Sequence, residues 1–137
     1  MICPLCGCDN TRRTASDRRR DYFHCSCCGL FFVPVSQHIS REREKQRYAR
    51  HNNTADNADY RRYLQSVAAD LKRIPSSYPR ILDFGSGPAR VLTAILSEQG
   101  FVCHAYDPLY GIGEEALSKT YDIVIACEVV EHLRNLR

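Results

Sequence analysis

Ile81-Leu82-Asp83-Phe84-Gly85-Ser86-Gly87-Pro88-Ala89-Arg90 decides the fold of this 137-residue chain. An apolar strand meets a carboxylate, then two spaced glycines, then a helix start. Without a Cβ, Gly85 and Gly87 let the main chain turn sharply and approach a ligand where side chains would stand in the way. Pro88 suits the first position of the following helix, which should bury Val91, Leu92, Ile95 and Leu96 and end at Gly100. A second apolar run, Phe101–Tyr106, leads to Asp107. In open α/β sheets ligands lie at the carboxyl ends of strands, and a carboxylate closing the second strand can hold both ribose hydroxyls.

Two nucleotide-binding turns are excluded. A dinucleotide site needs Gly-x-Gly-x-x-Gly, and Arg90 stands at the third glycine; a phosphate-binding loop needs Gly-Lys-Ser/Thr, and none follows. What remains is Asp83-Phe84-Gly85-Ser86-Gly87, then Asp107, then Tyr121-Asp122-Ile123-Val124-Ile125-Ala126-Cys127-Glu128 running on into Val129-Val130-Glu131-His132-Leu133. In this order the motifs resemble the class I S-adenosylmethionine-dependent methyltransferases, from about Tyr78 to Arg137, with Ala89 departing from the family's usual third glycine.

The resemblance implies S-adenosylmethionine as cofactor and a site built from Asp83, Phe84, Gly85, Ser86, Gly87, Asp107, Pro108 and Glu128. Glu128 would lie near the methionine end of the cofactor. His132, read as the start of the next helix with Glu131, and Glu128 are the candidate catalytic residues, His132 as a base where the acceptor must lose a proton. Little chain separates Asp107 from Tyr121, so Leu109, Tyr110 and Ile112 are the candidates to pack on adenine. Cys103 and Cys127 read as small core residues.

The expected fold is α/β, a Rossmann-like parallel sheet that is incomplete. Its strand runs are Ile81–Phe84, Phe101–Tyr106 and Ile123–Cys127, and a family member would continue with more. An open edge beside the third run would invite self-association. No apolar run approaches a membrane span and no charged leader precedes one, so the chain is expected to be soluble and cytoplasmic, with no membrane partner. Eight cysteines without an export signal point to metal rather than a disulfide framework.

Four of those cysteines make Cys3-Pro4-Leu5-Cys6-Gly7 and Cys25-Ser26-Cys27-Cys28-Gly29, two knuckles eighteen residues apart. This is zinc-site spacing, and four thiolates close the shell around Zn²⁺, leaving a structural rather than catalytic ion. Cys3, Cys6, Cys25 and Cys28 are the expected ligands, Cys8 and Cys27 are spare thiols, and His24 is the alternative ligand. The head is read as a zinc ribbon over residues 1–38, followed by a helical linker or lid over 39–77 and the N-terminal half of the cofactor-binding fold over 78–137.

The net charge of +3 hides an uneven spread. Residues 1–40 hold five Arg against three Asp, residues 41–80 ten basic against five acidic groups, and residues 81–137 four against eight. Thr11 to Arg20 could grip phosphates or form an ordinary solvated loop. Ser40 should cap a helix through Glu42, Glu44, Tyr48 and Ala49 that stops at Asn52-Asn53, with Tyr48, His51 and Asn52 marked as lid candidates; Tyr60, Tyr63, Leu64, Val67, Ala68, Leu71 and Ile74 share one helical face read as core. Pro75-Ser76-Ser77-Tyr78-Pro79 should break that helix. The expected function is methyl transfer to a small metabolite or glycosyl-type acceptor; the alternatives are an RNA acceptor and a non-catalytic interaction protein.

Overall fold

The computed structural model describes residues 1–74 and 79–136, so most of the expected Pro75–Pro79 break lies outside the described residues. The chain divides into two compact units: Met1–Glu44 with the C-terminal residues from His132 onward, and Lys45–Glu131.

In the first unit β1 (Thr11–Ser16), β2 (Asp21–Cys25) and β3 (Phe31–Phe32) form an antiparallel sheet in that order. Asp17 makes the first hairpin turn: one carboxylate oxygen accepts the N–H groups of Arg19 and Arg20 at 2.7 and 2.8 Å, the other the Tyr22 hydroxyl at 2.7 Å. An aspartate closing its own turn is a local alternative to strand hydrogen bonding, which is why the strand ends there. Arg41–Tyr48 (α1) follows, with the Ser40 hydroxyl accepting the Arg43 N–H at 3.3 Å.

The second unit is built on β4 (Arg80–Phe84), β5 (Val102–Tyr106) and β6 (Ile123–Ile125), a parallel sheet in the order β5-β4-β6. The chain leaves β4 for one neighbour and later returns to its other side, so the strand order reverses at β4. In open α/β sheets that reversal opens a crevice at the carboxyl ends of the strands. Ala58–Leu71 (α2) starts at Asn57, whose side chain accepts the Asp59 and Tyr60 N–H groups at 3.1 Å. Val91–Glu98 (α3) joins β4 to β5.

Leu64, Ala68 and Leu71 of α2 pack with Val91, Leu92, Ile95 and Leu96 of α3 and with Ile81, forming the core. Strand alternation puts Asp83 on the same face as Ile81. The sequence expectation needs four local corrections. The third strand stops at Ile125, so Cys127 lies beyond it, half-buried, rather than within a strand. Pro88 precedes the helix instead of opening it, because Arg90 takes a left-handed φ of +47° and the first helical residue is Val91. Glu131 and His132 sit in a three-residue 3-10 turn, Val130–His132, not at the start of an α-helix. Tyr63 and Ile74 are exposed, although the helical pattern counted them as core. Among the described residues no helix is long and apolar enough to cross a membrane.

Candidate functional site

The two cysteine knuckles fold alike. Gly7 N–H bonds to Cys3 C=O at 3.0 Å and Gly29 N–H to Cys25 C=O at 2.9 Å; Cys3 N–H reaches Cys8 C=O and Cys25 N–H reaches Leu30 C=O, both at 2.9 Å. Gly7 and Gly29 hold φ of +76° and +78°, the left-handed turn that glycine takes without strain. Each knuckle therefore curls back on its first cysteine. The thiols of Cys3, Cys6, Cys25 and Cys28 come together, all within 4.8 Å of one another, a group able to hold a metal ion. Cys3 is fully buried, and burial works to raise its thiol, but the N–H groups of Cys6 and Leu5 and the neighbouring thiols outweigh it and bring it down to about 6.

Cys8 and Cys27 are not spare thiols here; they are joined as a disulfide between the knuckles. The two residues lie side by side because each knuckle's fold fixes one of them. His24 stays outside the four-thiol group, its ring 4.6 Å from that of Phe31.

At the carboxyl ends of the parallel strands, the turn after β4 is pinned from below: the Gly85 and Ser86 N–H groups bond to Tyr106 C=O at 2.7 and 3.2 Å. Gly85 (φ +79°) has no room for a Cβ, which would collide with the Val129 side chain. Gly87 (φ +66°) is the reverse: a Cβ there would meet nothing within 4 Å, so the space above it is open.

Asp107 is 6% exposed and works as the hub of the site. One oxygen accepts the Gly87 N–H at 2.9 Å, the other the N–H groups of Leu109 and Tyr110 at 2.9 and 3.3 Å. A carboxylate offers about four lone-pair positions, so these three donors leave it room for roughly one more. Pro108 lies inside the turn that Asp107 closes through paired N–H···O=C bonds with Ile112 at 2.9 Å. Lys45 of α1 stands over the Tyr110 ring, 5.1 Å from its centre.

The Asp83 carboxylate accepts the hydroxyl of Thr93 in α3 at 2.7 Å. Burial raises its carboxyl above the usual range despite that bond. Phe84 lies beside Tyr106, ring centres 5.2 Å apart, and the Ser86 hydroxyl turns back to the Gly87 carbonyl at 3.3 Å. Burial likewise pushes the Cys103 thiol up to about 11, which keeps it protonated.

Glu128 holds a φ of +55°, a left-handed conformation that costs a residue with a Cβ roughly 1–2 kcal/mol. The Tyr63 hydroxyl lies 3.3 Å from its carboxylate. His132 falls in the first unit and Glu128 in the second. Three contributors escaped the sequence reading: Thr93 on Asp83, Val129 over Gly85, and Tyr63 beside Glu128. None of them carried a signal of its own: Tyr63 shares its helical face with Tyr60, and the sequence does not mark which of the two meets Glu128.

A family model described as a methyltransferase domain matches residues 37–137. The chain belongs to that family. No curated protein and no solved structure matches it. The methyltransferase domain thus covers the glycine turn, Asp107 and Glu128, whereas the cysteine knuckles lie before it.

Proposed function

We propose that this methyltransferase domain binds S-adenosylmethionine at the carboxyl ends of β4, β5 and β6 and passes its methyl group to a small metabolite or glycosyl-type acceptor. The observation that carries the reading is the pairing of open space above Gly87 with a buried Asp107 that already bonds the Gly87 N–H. The residues present fit the cofactor: a cradle that a side chain would fill, a carboxylate with about one acceptor position to spare for a ribose hydroxyl, and Glu128 in the loop after β6. When bound, S-adenosylmethionine supplies an electrophilic methyl group on a sulfonium. Phe84, Gly85, Ser86 and Gly87 shape the floor, Asp107 and Pro108 fix the ribose end, and Glu128 faces the amino-acid end. Asp83 is a further cofactor-binding candidate, and it also anchors α3 through Thr93. Orientation of the acceptor accounts for much of such a reaction.

Titration calorimetry with S-adenosylhomocysteine tests this. Asp107→Ala should cost on the order of 1.5–3 kcal/mol of binding, and it should abolish the difference between that ligand and its 2′- and 3′-deoxy analogues. Unchanged affinity in the variant would break the assignment.

The same reading makes the head a structural zinc site on Cys3, Cys6, Cys25 and Cys28. A tetrahedron with Zn–S bonds of about 2.3 Å has edges of about 3.8 Å, and the Cys3–Cys28 and Cys6–Cys25 sulfurs lie 3.7 and 3.6 Å apart.

A second reading, an RNA acceptor, is favoured by one feature of the ribbon. Arg12, His24 and Phe31 are cross-strand neighbours, and Phe31 is 65% exposed, so a cation, an imidazole and a ring lie side by side. Such a row suits stacking of an unpaired base beside a phosphate. RNA affinity falling steeply with salt and lost in Arg12→Ala would favour this acceptor; salt-independent binding would exclude it.

A further inference from the structure

The loop after β6 is held by a side chain to which the scheme above gives no task. Tyr63 of α2 is 43% exposed, yet its hydroxyl lies 3.2 Å from Cys127 Sγ and 3.3 Å from Glu128 Oε1. A phenol has one proton to give. Donated to the carboxylate, it leaves the phenol oxygen to accept the Cys127 S–H, and the three groups form one directed chain.

Glu128 meanwhile keeps its left-handed φ of +55°, a conformation that persists only where the surroundings over-determine it. Val129 is one such restraint: its side chain occupies the space above Gly85, so the backbone cannot relax without lifting off the glycine turn. Tyr63 is the restraint on the side chain.

We propose that Tyr63 is a positioning residue whose hydroxyl fixes the Glu128 carboxylate toward the ammonium group of the cofactor's amino-acid portion. The inference rests on the cofactor reading above and adds to it a residue from outside the sheet. It also explains why a tyrosine on the core-facing helix is left half in solvent.

Two ligands separate the outcomes in calorimetry on the full chain: S-adenosylhomocysteine, and 5′-methylthioadenosine, which lacks the amino-acid portion. Tyr63→Phe removes one oxygen and keeps the ring. It should weaken S-adenosylhomocysteine on the order of three- to tenfold and leave 5′-methylthioadenosine unchanged. Glu128→Gln should show the same selectivity, and adding Tyr63→Phe to it should cost nothing more, since both act through one contact. Glu128→Asp, which draws the carboxylate back from the phenol with Tyr63 intact, gives the same reading should Tyr63→Phe fail to fold. Equal losses for both ligands would make Tyr63 a purely structural residue and overturn the proposal, as would full S-adenosylhomocysteine affinity in Tyr63→Phe or in Glu128→Asp. A wild-type chain that binds neither ligand would remove the cofactor reading and this inference together; a wild-type chain that binds both, with Tyr63→Phe indifferent, removes the inference alone.

Discussion

The two units solve the problem of a small interior differently. In the second, aliphatic side chains from α2, α3 and β4 make a continuous core around Leu64, Ile81, Ile95 and Leu96. In the first, the buried residues among those described are Cys3, Cys25 and Pro34, and nearly all of β1 is exposed. A unit of that size cannot bury enough apolar surface to hold itself together, and small folds commonly turn to metal or disulfide links instead. Here sulfur stands where a core would be, as a four-thiol group and as the Cys8–Cys27 bond.

The contrast is open to attack in four places. The largest effect should come from Cys25→Ser. Structural zinc contributes about 10–16 kcal/mol in small zinc-finger peptides, so the variant should lose its metal, and residues 1–40 should become protease-sensitive while the sheet unit keeps its melting temperature. Metal content equal to wild type would overturn the ligand set. Next, Leu96→Ala should cost the sheet unit about 2–5 kcal/mol in denaturant titration without changing metal content; a coupled loss of metal would show that the units do not stand independently.

Smaller effects distinguish the two glycines of the turn. Gly85→Ala should destabilise by about 1–3 kcal/mol, because Val129 must give way as well as the backbone. Gly87→Ala should cost only about 1 kcal/mol of conformational strain yet reduce ligand binding more, since its Cβ would enter the open space. Equal stability losses would mean that Val129 does not pack as described.

The smallest effect is one of pH, and its sign differs between the units. The Tyr22 hydroxyl and the Arg19 and Arg20 N–H groups hold Asp17 below the usual carboxylate range, and Ser16 and Gln37 do so for Asp21. Their stabilisation is present above the unfolded value of about 3.9 and fades as the pH falls through their lower native values. Asp83 is raised by burial, so its native form binds a proton more tightly than the unfolded chain does. Stability from that group falls as the pH rises from about 3.9 through the raised native value. Amide NMR signals followed down to about pH 3 should show the head melting first, and Asp83→Asn should flatten the opposing slope of the sheet unit.

The parallel sheet and its helices were legible because their signals are local: an apolar strand, spaced glycines and a 3.6-residue period. The Cys3, Cys6, Cys25 and Cys28 group was legible from spacing alone. What stayed hidden depends on contacts between segments far apart in sequence. No pattern around Gly85 reveals that Val129 will fill the space above it, and nothing in α2 says that Tyr63 will meet Glu128. The Arg90 turn was missed for a local reason: Pro88 suits a helix start, but the left-handed φ at Arg90 delays the helix to Val91.

The Arg134 guanidinium bonds to the Ile39 carbonyl and pairs with Glu44 at 3.1 Å, closing the first unit with a residue 95 positions downstream. On the ribosome that clasp must wait until the whole sheet unit has been synthesised. The order of synthesis therefore lets the contiguous Lys45–Glu131 segment fold in between, leaving the N-terminal ribbon to be fastened last.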